Sequence, residues 1–173
     1  MTEERRIADG LAEYLADRHT LLPKVFSSEE AAEQIISLFQ KSDYSGATFN
    51  FYFGDLSGQP FFAVSPYPDL SETLPGVAVD QRDLKAFIMK HRPLLEDPRN
   101  SLGLWYDELN QETWIDISTV LPGKREAEDI GKRYNQIDGF DLQKNEPFPC
   151  GGSGEPVEDM PPLMGRLSKL PRE

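Results

Sequence analysis

The stretch 101–121, SLGLWYDELNQETWIDISTVL, constrains this chain more than any other. Leu102, Leu104 and Tyr106 alternate with Gly103, Trp105 and Asp107. Further on, Thr113, Ile115 and Ile117 alternate with Trp114, Asp116 and Ser118. A period of two carried by β-branched and aromatic residues is the signature of strands with one buried face. The four residues between them, Glu108, Leu109, Asn110 and Gln111, close an antiparallel hairpin. That loop length sets Asp107 opposite Glu112, Tyr106 opposite Thr113, Trp105 opposite Trp114, Leu104 opposite Ile115 and Leu102 opposite Ile117. The aliphatic pairs share one face, expected to meet the core. Both tryptophans share the other with Asp107, Asp116 and Ser118.

Around this hairpin the chain reads as ααββαββαβ. An apolar stripe of Ile7, Leu11, Tyr14 and Leu15 predicts a first helix over 2–19. Ser27 with Glu30 three residues later predicts a capped second helix, whose inner face is Ala31, Ile35, Leu38 and Phe39. A first hairpin is expected from 47–54 and 59–65, with Phe62 and Val64 across from Phe51 and Phe49. Three prolines make 65–76 a loop. Asp80 caps a third helix bearing Leu84, Phe87, Ile88 and His91, which Pro93 ends or kinks. A fourth helix spans about 124–134, with Asn135 as its C-terminal cap, and 137–142 is a fifth strand. The expected architecture is α+β: an antiparallel sheet of about five strands with helices mainly on one face. One domain, 1–144, is followed by a flexible tail, 145–173, where six prolines and four glycines fall among 29 residues.

A length of 173 residues suits a single core, and ten phenylalanines argue for packing rather than disorder. A net charge of −12 disfavours direct nucleic-acid binding, which needs clustered Lys and Arg, and permits a basic protein partner. A single cysteine, Cys150, excludes an intramolecular disulfide and a multi-cysteine zinc site. The N-terminus has no apolar signal region and no stretch reaches membrane-span length, so the expectation is a cytoplasmic protein off the membrane. No metal and no cofactor are expected.

The candidate binding face is Trp105, Trp114, Asp107 and Asp116. Two aromatics with carboxylates suit a stacked ring or a cationic side chain, although cross-strand packing of the tryptophans also accounts for the pair. Asp107 and Asp116 are too far apart in this register to act as a metal or acid/base pair. His19 and His91 end helices, where the macrodipole favours them, and no nucleophile motif accompanies either. Cys150 lies in PFPCGGSGE, a Gly-rich linker with no basic neighbour to activate the thiol. A second candidate is the tail patch of Leu163, Arg166, Leu167 and Lys169, which docks on a partner or folds back onto the acidic body.

The segments SPYPD, LLEDP, WYD, IDIS, NQI, FDL and GGSGE occur in that order between about 63 and 155. In this the chain resembles a family of bacterial, phage and mobile-element-associated proteins with a W-Y-D hairpin, an N-Q-I-x-x-F-D-L segment and a G-G-[ST]-G segment. That family carries no assigned activity, so the resemblance brings no catalytic residue and implies an accessory role. The chain departs from it at Asp138-Gly139, where the pattern is apolar, and at Cys150, where it has Thr. The first reading is therefore a non-enzymatic acidic interaction protein with an unidentified protein partner, as a phage or mobile-element accessory, an inhibitor or an immunity-like factor. The alternative is a small-ligand-binding protein or enzyme using the Trp/Asp face. A third reading is an acidic DNA mimic.

Overall fold

The computed structural model describes residues 22–166 together with Leu11, Ala12, Tyr14 and Leu15, which are helical. The rest of the predicted first helix lies outside the described residues, as do Leu167 and Lys169. Between 22 and 166 the order is α1 (Ser28–Lys41), β1 (Ala47–Asn50), β2 (Gly54–Asp55), β3 (Phe62–Val64), a 3₁₀ turn (Pro68–Leu70), β4 (Glu72–Pro75), α2 (Gln81–Lys90) and α3 (Arg92–Leu95). Then come β5 (Asn100–Asp107), β6 (Glu112–Leu121), α4 (Lys124–Arg133), β7 (Asp138–Asp141), β8 (Glu146–Pro149) and a second 3₁₀ turn (Leu163–Gly165). The predicted caps form: Ser27 Oγ accepts the Glu30 N–H at 3.1 Å and Asp80 Oδ1 accepts the Arg82 N–H at 2.7 Å.

The fold is α+β, with eight strands in one curled antiparallel sheet rather than about five. The spatial order is β2-β1-β5-β6-β3-β7-β8, with β4 also on β6. The β5–β6 register is the predicted one, Trp105 facing Trp114 and Gly103 facing Asp116. Leu102, Leu104, Ile115 and Ile117 are buried in the main core with Ile35 and Phe39 of α1, Phe87 and Ile88 of α2, and Ile130 of α4. A smaller core on the opposite face joins Leu11, Phe53, Leu56, Phe61, Ala63, Val120 and Leu142.

The expected first hairpin does not form. Asn50 Oδ1 accepts the N–H groups of Tyr52 at 2.9 Å and Phe53 at 3.1 Å, so the chain turns where the Phe49/Phe51/Phe53 alternation mimics a strand. Gly54 and Gly58 have φ of 78°, and Pro60 has no N–H to donate, so no ladder extends back along β1. Instead β1 pairs with β2 and β5, and β3 lies beyond β6, between it and β7. The expected loop at 65–76 contains β4, which pairs residue for residue with 112–115 of β6. Beyond 144, β8 pairs with β7, so ordered sheet continues past the expected domain boundary.

Candidate functional site

A strand that carries two neighbours on one edge forces the sheet to fork, and β6 is that strand. β4 takes residues 112–115 and β3 takes 119–121. At the fork, Ser65 Oγ donates to the Ile117 carbonyl at 2.6 Å, and the Ser65 N–H donates to Gln136 Oε1 at 2.8 Å. Because the sheet curls, β1 on one side and the β7–β8 hairpin on the other rise around the β5–β6 face bearing Trp105, Asp116 and Ser118. The open cavity between them has a volume of about 470 Å³. Ser45 to Thr48 form one wall, Asp138, Phe140 and Pro147 the other, and Gly103, Asp116, Ser118, Ser65 and Gln136 the floor.

Asp116 is the central group. It keeps some accessible surface but sits at the bottom of the concavity with protein around it, and this burial raises its carboxyl pKa above the usual range. Two neutral donors pull the other way: Trp105 Nε1 donates to Oδ2 at 3.3 Å and Ser118 Oγ donates to Oδ1 at 3.4 Å. The carboxyl fits because its cross-strand partner is glycine. A Cβ at Gly103 would overlap Asp116 Oδ1. Trp105 stacks on Trp114 with ring centroids 5.5 Å apart and planes within 6°, yet stays 40% exposed. One ring face is thus taken by Trp114, its N–H is directed at Asp116, and Trp105 is among the residues that line the cavity.

The other expected site residues are placed differently. Asp107 is spent on the hairpin loop: it accepts the Leu109 and Asn110 N–H groups and the Asn110 side chain, bonds that hold its carboxyl below the usual range. Trp114 backs Trp105 but does not line the cavity. His91 is buried on the helix side beside Phe87, with Nε2 unpartnered and its pKa lowered by burial. Cys150 is buried at the end of β8, not carried on an open Gly-rich linker. A Cβ at Gly131 would overlap its Sγ, and burial pushes the thiol up. The GGSG segment is no free linker either. Asn135 Oδ1 accepts the Ser153 N–H at 2.8 Å, and Asn135 Nδ2 donates to Ser153 Oγ at 2.6 Å and to the Glu155 carbonyl at 3.0 Å. Of the tail patch, Leu163 packs on the main core. Arg166 is buried against Asp69, the fold-back alternative for this residue.

Ser65, Gln136, Asp138 and Phe140 are cavity residues that strand alternation does not single out. Three of them sit in or beside segments quoted above: Ser65 opens SPYPD, Gln136 is in NQI, and Phe140 is in FDL. Together with Trp105 of WYD and Asp116 of IDIS, residues scattered over 76 positions line one concavity. Comparison with family models, curated proteins and solved structures found no match to this chain.

Proposed function

We propose that this protein binds a small ligand in the cavity on the Trp105/Asp116 face. The observation that carries the reading is a desolvated carboxyl on the floor of a concavity of about 470 Å³, beside a tryptophan, 40% exposed, that also lines it. Pockets of roughly 300–1,000 Å³ with a few convergent polar groups are the usual form of a small-molecule site. Burying an acid without an opposite charge destabilises a fold, and a site built for a ligand is a standing reason to retain one. The test is a nucleotide and metabolite panel read by Trp fluorescence and by thermal shift, on the native chain and on Thr48→Phe, which fills the cavity from β1. Ligands should quench the emission and raise the melting temperature of the native chain and leave the filled variant unmoved. Silence across the panel overturns the reading.

A second reading, a protein partner, is favoured by the tip of the β5–β6 hairpin. There Leu109 is 90% exposed among Asp107, Glu108 and Glu112, on a chain of net charge −12. An accessory, inhibitor or immunity-like role would use this acidic, apolar-tipped surface to hold a basic partner. An affinity pull-down read by mass spectrometry should then return a basic protein that Leu109→Ser loses and Thr48→Phe retains. The reverse pattern refutes it.

A further inference from the structure

We infer that the group taken by this cavity is an organic cation: a primary ammonium or guanidinium against Asp116, on a flat apolar body lying along Trp105. The inference rests on the ligand-site reading above. Among the described residues lining the cavity, the ionisable ones are Asp116 on the floor and Asp138 on the β7 wall, and no Lys, Arg or His joins them. An anion placed there meets two carboxyls and no compensating charge. A neutral ligand seals Asp116 away from water without a counter-charge. A cation supplies that counter-charge, and the free-energy difference between the three classes grows as water is displaced.

The hydrogen bonding of Asp116 leaves room for such a group. A carboxylate has about four acceptor sites. Asp116 receives Trp105 Nε1 and Ser118 Oγ, both neutral and both longer than the roughly 2.7–2.9 Å typical of charge-assisted N–H···O bonds. The aromatic surface is placed to help. Trp105 lines the cavity with its N–H edge on the carboxyl and 40% of its surface exposed, and Phe140, 36% exposed, stands on the opposite wall. A ring face next to an acid is the pairing that holds ammonium and guanidinium groups, the ring quadrupole and the carboxylate acting in the same direction.

The test is isothermal titration calorimetry of the full chain at neutral pH with three isosteric probes: benzylamine, benzyl alcohol and benzoate. Benzylamine should bind about ten-fold or more tighter than benzyl alcohol, with benzoate weakest. Asp116→Asn should bring the amine down to the level of the alcohol while the alcohol changes little, and Asp138→Asn should lower the amine by a smaller factor. A thermal melt of each variant verifies folding. Equal or better binding of the alcohol or benzoate overturns the inference and leaves the ligand site standing. So does an amine preference that survives Asp116→Asn. Silence from all three probes also overturns it, and the ligand-site reading falls with it only if the wider panel is silent too.

Discussion

Arg166 ties the C-terminal segment to the domain, and Arg166→Leu should cost about 2–4 kcal/mol. The guanidinium makes four hydrogen bonds: Nη1 to Asp69 Oδ1 at 2.6 Å and to the Pro66 carbonyl at 2.9 Å, Nη2 to Asp69 Oδ2 at 3.0 Å, and Nε to the Pro161 carbonyl at 2.9 Å. It also lies 5.6 Å from the centre of the Tyr67 ring. The Arg166 side chain is 3% exposed but that of Asp69 is 42% exposed, so water takes over the freed carboxylate and the ion pair itself is discounted. What remains is the loss of bonds to two carbonyls and of the stacked contact, at about 1 kcal/mol each, plus a reduced charge term. For a chain of 173 residues that is a fall in Tm of roughly 5–15 °C. Urea denaturation should show a lower midpoint at unchanged slope. There is also a pH signature. Arg166 holds Asp69 below its ordinary value, so the contribution is complete above the unfolded pKa of about 4 and fades as pH falls through the folded one. Arg166→Leu should lose that slope. An unchanged midpoint would refute the claim that this side chain anchors the segment.

Three further outcomes follow from the same geometry. Gly103→Ala sets a Cβ against Asp116 Oδ1, so the carboxyl must turn and its bonds from Ser118 Oγ and Trp105 Nε1 change; the Trp emission should shift while stability moves by only about 1 kcal/mol or less, the far end of a side chain being free to move, and an unperturbed spectrum contradicts the packing described. Asp116 has its folded pKa raised, so its favourable contribution exists at low pH and is lost as pH rises through the folded value. Asp116→Asn should therefore melt higher than the native chain at neutral pH, and a lower melting temperature there refutes the sign. His91 has its folded pKa lowered by burial, so stability should fall as pH drops below its unfolded value of about 6.5. His91→Phe should remove that part of the acid-side loss, as read from urea midpoints against pH.

The hairpin part of the cavity floor was legible because local pattern fixes it, whereas Ser65 and Gln136 beside it were not. A period of two and a four-residue loop leave one register, and that register puts Trp105, Trp114 and Asp116 on one face. The walls were not legible. Ser45 to Thr48 and Asp138 to Pro147 reach the site through pairings of β1 with β5 and of β3 with β7, which depend on the whole sheet and leave no periodic trace. The Phe49/Phe51/Phe53 alternation actively misdirects, because Phe51 and Phe53 are buried from a turn instead of a strand. Proline density hid β4 and β8 for a related reason. Both are short strands at the margins of the sheet, where a missing N–H is tolerated. Helices α1 and α2 were readable because their caps and apolar stripes agree with each other, and α4 from its stripe of Ala127 and Ile130 alone.

The forked edge of β6 has a consequence for how the chain reaches its native state. The β5–β6 hairpin is local in sequence, so its closure carries little loop entropy. β4 has β6 as its one ladder partner and β3 is held between β6 and β7, and their pairing with β6 spans some forty to sixty residues. The transition state should thus hold the hairpin and lack the fork, with high φ-values at Leu104 and Ile115 and low ones at Ala63 and Leu74. On that order of events the β5–β6 part of the cavity floor is among the first surfaces made, and the fork and walls around it are among the last.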